Sequence, residues 1–272
     1  MKNILSIDLE DYFCDLPFSS WLNYSSRVVS TTEIILKLLT KYKVNATFFT
    51  LGYIAEQFPE LIEKIVSLGH EIGSHGYSHL DLRKINKKIL EDEIKKSTTS
   101  LEKITGEKIY GFRAPFFSIS RDNLDNFDII KKYFKYDSSI FPVKTPLYGI
   151  PNAPRFPYRF SSNNPLVKNS DGELLELPPV TLKIPLYGNL PIAGGFYLRF
   201  LPLSLITYGI NKLNKLDESA MFYIHPKDLD ATMPKIDSYS WHYYYNLKNG
   251  KKKFESLLKN FQFSSVRDAY SF

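Results

Sequence analysis

The chain has five histidines, and two of them, His75 and His79, stand four residues apart in "EIGSHGYSHL" (71–80). Imidazoles at that spacing fall on one side of a helical turn, close enough to hold one ion from adjacent directions. Two readings are open: half of a metal site, or two polar side chains satisfied by their surroundings. A metal site in an enzyme commonly has a third protein ligand, often a carboxylate, and keeps one position open. The acids of "DLED" (8–11) are the natural donors. Asp8 and Glu10 lie two apart, so a strand that continues through them turns both to the same side. One acid can then ligate while the other stays free as a base; the competing reading is a cap or a turn with solvated acids.

Arg113, in "FRAPFF", follows an apolar stretch and is placed to hold a nearby acid ionised and oriented. A surface arginine lying along apolar neighbours would look the same. His225, in "FYIHPKD", closes a very apolar run with Pro226 behind it. Beside a metal site it is the obvious proton donor; without one it is a buried histidine with a backbone partner. His70 and His242 have no such setting and read as structural.

Positioning these groups requires strands and helices in alternation. Residues 3–8 read as a short buried strand, 30–44 as a helix with a Ser/Thr start, and 45–52 as a second strand. A helix at 58–69, with Pro59 near its start and Gly69 at its end, precedes a strand at 70–75. A longer helix at 86–106 and a strand at 109–117 follow. This alternation predicts a parallel sheet or barrel covered by helices, with the chemistry at the C-terminal ends of the strands. Asp8, Glu10, His75, His79 and Arg113 all fall at or just past such ends.

Ten of the sixteen prolines lie within 141–200, interleaved with aromatics, which predicts rigid, loop-rich substrate-side structure rather than a disordered linker. The pattern resumes with a helix at 201–216, a strand at 220–226, a helix at 244–260 and a strand at 261–266. No repeat or low-complexity tract interrupts it. The 272 residues are expected to form one catalytic domain, 1–272.

With 43% hydrophobic and 24% charged residues the composition is that of a soluble globular protein. The aromatic share of 15% can fill a core and also suits a cleft that stacks sugar rings. The net charge of +6 is spread over amphipathic helices, which argues against a nucleic-acid partner but favours an acidic substrate or an anionic membrane face. The lone Cys14 excludes an internal disulfide and fits a reducing compartment. "MKNILSIDLEDYF" reads neither as a signal peptide nor as a membrane span, which makes the cytoplasm the expected location.

The order of acid cluster, H-x-x-x-H, R-x-P and late histidine resembles the polysaccharide deacetylases of carbohydrate esterase family four, the nodulation-type chitooligosaccharide deacetylase homology domain. The segments "SIDLEDYF", "GSHGYSHLDL", "GFRAPFFSI", "YDSSIFP", "YGIPNAPRFP", "ELPPVT", "GGFYLRFLP", "FYIHPKDLD" and "HYYYNLK" look most like its exopolysaccharide-biosynthesis branch. The resemblance runs from Ile4 to about Val266.

It implies a distorted (β/α) barrel of about seven parallel strands and metal-assisted hydrolysis of an N-acetyl group on a sugar. A divalent ion, zinc first, would be held by His75, His79 and one acid, where it would polarise the acetyl carbonyl and acidify a water. Asp8 corresponds to the base and His225 to the acid for the leaving amine. Arg113 would keep Asp8 charged, and backbone N–H groups near Phe116, past Pro115, would form an oxyanion hole. The family usually has adjacent aspartates in its first motif; here Leu9 stands at the second position. The acid ligand therefore lies between Glu10, favoured by strand parity, and Asp11. Gly76 stands where the family usually has Ser or Thr, and "VKTPL" stands where the branch often has a His-Asp pair.

Tyr148, Arg155 and Tyr197 are candidate sugar contacts, and Asp137 is a candidate to orient a catalytic side chain or to cap a turn. The implied partner is an N-acetylated saccharide, a precursor made at the inner membrane face or a soluble sugar. The alternatives are an amidase of the same fold acting on a cyclic amide or formyl group, and a non-catalytic sugar-binding relic.

Overall fold

Strand β1 (Asn3–Leu9) is buried along its whole length, which is why its sequence is apolar on both faces instead of alternating. The computed structural model describes residues 2–272 and places this strand inside a nine-stranded sheet. In chain order the other strands are β2 (Thr47–Thr50), β3 (Glu71–Ser74), β4 (Gly111–Phe112), β5 (Tyr136–Asp137), β6 (Tyr158–Phe160), β7 (Leu174–Glu176), the separate hairpin β8 (Thr181–Ile184) and β9 (Gly188–Pro191), then β10 (Met221–Ile224) and β11 (Phe263–Ser264). The spatial order is β10-β1-β2-β3-β4-β5-β7-β6, with β11 on the first residues of β1. Within it only β6 and β7 run antiparallel. The expected distorted (β/α) barrel is therefore present as a mostly parallel sheet curled into a half-barrel.

The curl is nearly closed by the segment after β7, where Pro179 bridges Met221 and the Val180 N–H donates to the Met221 carbonyl at 2.8 Å. Pro178 and Pro179 have no N–H to give, so the seam cannot extend into a ladder.

Helices α1 (Val28–Tyr42), α2 (Gly52–Gln57), α3 (Pro59–Ser67), α4 (Lys87–Thr105) and α5 (Phe127–Tyr133) fill the crossovers, followed by α6 (Gly195–Phe200), α7 (Leu203–Asn214), α8 (Trp241–Tyr244), α9 (Leu247–Asn260) and α10 (Val266–Tyr270). Among the described residues no helix is long and apolar enough to cross a membrane. Cys14 is a buried free thiol.

Three differences from the sequence expectations have local causes. Helix α1 starts two residues before the expected Ser30, because the Asp11 carboxylate accepts the N–H groups of Arg27 and Val28 at 2.9 and 3.1 Å. That cap comes from another part of the chain, so the Ser/Thr signal misplaces the start. The strand expected at 109–117 ends at Phe112 and gives way to a turn with Phe116 and Phe117 at φ 57° and 48°. Residues 141–200 are not loop alone: β6 to β9 and α6 lie within them.

Register brings the chemistry to one rim. Leu9 is level with Thr50, Thr50 with Ser74, Ser74 with Phe112 and Phe112 with Asp137, while Ile7 is level with Ile224. The next residues along, Glu10, His75, Arg113, Ser138 and His225, thus leave the sheet at the same end.

Candidate metal centre and active-site cleft

His75 and His79 do not lie on a helical turn as their spacing suggests. They flank a bend after β3, with Gly76 at φ 77° and His79 at φ 55°. A side chain at Gly76 would have room, since the nearest atoms to an added Cβ are 3.7 Å away, but its left-handed backbone disfavours the Ser or Thr usual in the family. The bend turns the rings toward each other with centroids 5.2 Å apart. Each Nδ1 is occupied by a main-chain carbonyl, His75 on Arg113 at 2.7 Å and His79 on Cys14 at 2.9 Å. A ring that donates Nδ1–H keeps its Nε2 lone pair for a cation.

Those two Nε2 atoms converge on Glu10. The Glu10 Oε2 lies 2.7 Å from His79 Nε2 and 4.0 Å from His75 Nε2. Glu10, His75 and His79 offer three ligand atoms all within 4.8 Å of one another, and all three residues are buried. Oε2 is buried and makes no well-directed hydrogen bond. A desolvated carboxylate oxygen facing two imidazole nitrogens matches the donor set of divalent-cation sites. Burial opposes ionisation of Glu10, but His79, Lys227 and His225 outweigh it and hold the carboxyl well below the usual range. Burial pulls His75 down to about 4, so its ring is neutral, as a ligand must be.

Asp11, the other candidate ligand, points elsewhere. Its carboxylate is held by Ser26 Oγ at 2.5 Å and by the N–H groups of Tyr12, Arg27 and Val28. It caps α1, and the metal cluster does not include it.

Asp8 sits beside the cluster. Arg113 donates from Nη1 to Asp8 Oδ1 at 2.5 Å and to Ser6 Oγ at 2.9 Å. The rest of the guanidinium is fixed by Ser138, through its carbonyl at 3.1 Å and its hydroxyl at 2.7 Å. The second Asp8 oxygen, Oδ2, faces His225 Nε2 at 3.8 Å. Asp137 lies behind this group. It accepts from the Ser139 N–H and hydroxyl at 2.8 and 2.9 Å, and Ser139 Oγ accepts the Ala114 N–H at 2.8 Å. Burial pushes the Asp137 carboxyl up to about 6. It caps a turn and props the strand end that carries Arg113, away from the cleft lining.

His225 is oriented by residues that sequence reasoning missed. Asp228 Oδ2 accepts its backbone N–H at 2.9 Å and its Nδ1 at 2.8 Å, and Arg199 braces Asp228 Oδ1 at 3.2 Å. Burial lowers the His225 pKa, but the Asp228 hydrogen bond and charge, with Glu10, leave it raised. Gly195 makes room for this brace: a Cβ there would lie 1.6 Å from Asp228 Oδ2. "GG" at 194–195 and the acid three residues after His225 were the available signals. Lys227 was missed too; its ammonium bonds Glu10 Oε1 at 2.7 Å and Asp15 Oδ2 at 2.8 Å.

The group opens into a cleft of about 810 Å³. Phe116, Leu147, Tyr148, Phe196, Tyr197 and Trp241 are among its walls. Phe116 also packs against His79, with ring centroids 4.3 Å apart and planes tilted by 49°, and the Tyr148 and Tyr197 hydroxyls meet at 3.3 Å. Two expected contacts fall outside the lining. Pro115 starts the turn below Phe116, and Arg155 is tied to Thr181 at 3.0 and 2.7 Å, locking 151–157 onto β8.

Residues 18–128 match the polysaccharide deacetylase family, and 138–271 match a domain of unknown function, DUF3473. Residues 18–128 thus carry a polysaccharide deacetylase domain, followed by a DUF3473 segment at 138–271. Asp8, Glu10 and His225 lie outside the stretch matched to the deacetylase family, so their place in the site rests on geometry.

A peptidoglycan deacetylase of Helicobacter pylori is 29% identical over 77% of this chain, and a peptidoglycan-N-acetylglucosamine deacetylase of Bacillus cereus is 38% identical over 34%. These alignments span 64% and 34% of the relatives' own lengths. A solved Mycobacterium smegmatis structure assigned to the polysaccharide deacetylases superposes with a TM-score of 0.63 at 18% identity, covering 98% of this chain and 89% of that one. At that identity the likeness concerns the fold.

Proposed function

We propose that this chain is a metal-dependent hydrolase that removes an N-acetyl group from an N-acetylhexosamine in a glycan or glycan precursor. The observation that carries the reading is the convergence of Glu10 Oε2 with the Nε2 atoms of His75 and His79, beside Asp8 and His225. One sheet holds both matched segments, which supports treating residues 1–272 as one catalytic unit.

Glu10, His75 and His79 would hold the divalent ion, with zinc suited to this nitrogen and oxygen donor set. When bound, it would supply Lewis-acid polarisation of the acetyl carbonyl and acidify water. Asp8 is the base: Arg113 fixes one oxygen and leaves Oδ2 free toward the cleft to take a proton. His225 is the acid: the Asp228 carboxylate holds Nδ1, so Nε2 is the atom that gives its proton to the departing amine. The two tasks belong to different side chains 3.8 Å apart, so the proton taken by Asp8 and the one given by His225 act on the same small volume.

The Phe116 N–H is placed in the reading as an oxyanion donor. Its φ of 57° is the kind of strained backbone that concentrates at functional sites. Tyr148, Tyr197 and Trp241 supply the faces against which sugar rings stack.

The test is a substrate panel with zinc-loaded protein: N-acetylglucosamine oligomers, peptidoglycan fragments, a cyclic amide and an N-formyl sugar. Acetate release from the N-acetylated saccharides supports the proposal. Formate release or ring opening in its place moves the chain to another C–N bond, and no turnover with any substrate rejects catalysis.

A further inference from the structure

The charged group nearest the metal cluster that the reaction leaves without a task is Lys227. Its ammonium is wedged between Glu10 Oε1 at 2.7 Å and Asp15 Oδ2 at 2.8 Å, with Tyr243 below it at 5.8 Å from ring centre. Only 11% of the side chain is exposed. Both carboxylates come from the stretch after β1, and Lys227 comes from the turn after β10, so the contact joins the two strand ends that carry base and acid.

Glu10 has two oxygens with different surroundings. Oε2 faces His75 and His79, whereas Oε1 faces Lys227 and lies 3.8 Å from His225 Nε2. A carboxylate with both oxygens free can take a cation in a two-oxygen grip, filling the position that substrate needs. A free Oε1 would also compete with Asp8 Oδ2 for the His225 proton, since both lie 3.8 Å from Nε2. An ammonium on Oε1 removes both alternatives.

We propose that Lys227 is a positioning residue that restricts Glu10 to one-oxygen ligation through Oε2 and leaves the His225 proton to the reaction. Asp15 is the second anchor that keeps the ammonium on Oε1. The inference rests on the reading of Glu10 as the carboxylate ligand.

The test uses the full chain loaded with Co2+, whose visible spectrum reports ligand number and geometry, together with titration of Co2+ affinity and the kinetics of acetate release. For Lys227→Met the inference predicts a changed Co2+ spectrum with lower absorbance, as expected for a higher coordination number. Affinity for the ion should rise about tenfold, because a positive neighbour has been removed and an oxygen gained. Acetate release should fall by about tenfold or more in kcat with little change in KM. Lys227→Arg should restore the spectrum and most of the rate.

A residue that only stabilised the fold would give the opposite pattern, with weaker metal binding and a lower melting temperature but an unchanged spectrum; that result overturns the inference. If Lys227→Met does not fold, Asp15→Asn gives the same readouts with the ammonium unanchored, and an unchanged Co2+ spectrum there is equally decisive against it. A wild-type chain that binds no Co2+ rejects the metal-centre reading and this inference together, whereas wild-type binding with an unaltered Lys227→Met spectrum rejects only the role of Lys227.

Discussion

Arg113 donates to the Asp8 carboxylate at 2.5 Å, and both side chains are almost wholly buried. The pair joins the end of β4 to the end of β1 and leaves one Asp8 oxygen facing His225. Removing one partner of a buried ion pair strands the other charge and typically costs about 3–5 kcal/mol.

Asp8→Asn is therefore predicted to keep the shape of the site and lose the base. Acetate release should fall about 10²–10⁴-fold, with zinc content by mass spectrometry unchanged. Arg113→Met should also lower the melting temperature, because it leaves Asp8 buried without its cation. An Arg113→Met variant as stable as the wild type would contradict the pairing.

Glu10 and Asp11 are separated by one experiment. Glu10→Ala should abolish stoichiometric zinc binding with little effect on α1. Asp11→Ala should retain zinc and lose about 1–2 kcal/mol of stability in urea, because the cap of α1 is gone. The reverse pattern would make Asp11 the ligand.

The site was legible in part, for reasons that these residues make plain. Asp8, Glu10, His75, Arg113 and His225 could be placed because each sits at or directly past the end of a strand, and a parallel sheet gathers strand ends whatever its loops do. Strand parity also favoured Glu10 over Asp11. The helical reading of His75–His79 failed because a left-handed Gly76 bends the chain there. Lys227 and Asp15 were missed because nothing local marks a side chain whose partner lies some 200 residues away, whereas Asp228 had a local signal in its place three residues after His225. The β8–β9 hairpin was hidden for a different reason, since prolines that rigidify loops also sit at the ends of short strands.

Asp228 raises the His225 pKa against the pull of burial. A proton donor must be protonated to act, so the raised value extends activity toward alkaline pH. Asp228→Asn removes the larger opposition to burial and leaves Glu10 on that side, so the alkaline limb of the kcat/KM profile should move to lower pH. Gly195→Ala, whose new methyl overlaps Asp228, should move it the same way. An unmoved limb in both would show that His225 is not the acid.

His70 tests the far side of the sheet. Burial pulls its pKa down to about 4, and its Nδ1 accepts the Ala46 N–H at 3.4 Å, which requires a neutral ring. Unfolded histidine protonates near 6.5. Between about 6.5 and 4 the unfolded chain thus binds more protons, and stability falls as the pH falls through that window. At pH 5 the loss is up to about 2 kcal/mol. Urea midpoints at pH 7 and pH 5 should differ less in His70→Gln than in the wild type; equal differences would remove His70 from the acid response.

The most direct measurement is the anomalous diffraction signal of zinc in crystals of the loaded protein. A single strong peak bonded by Glu10 Oε2, His75 Nε2 and His79 Nε2, with its remaining position open toward Asp8 and His225, is the predicted result. A peak ligated by Asp11, or a fully loaded protein with no peak between the two histidines, would contradict it.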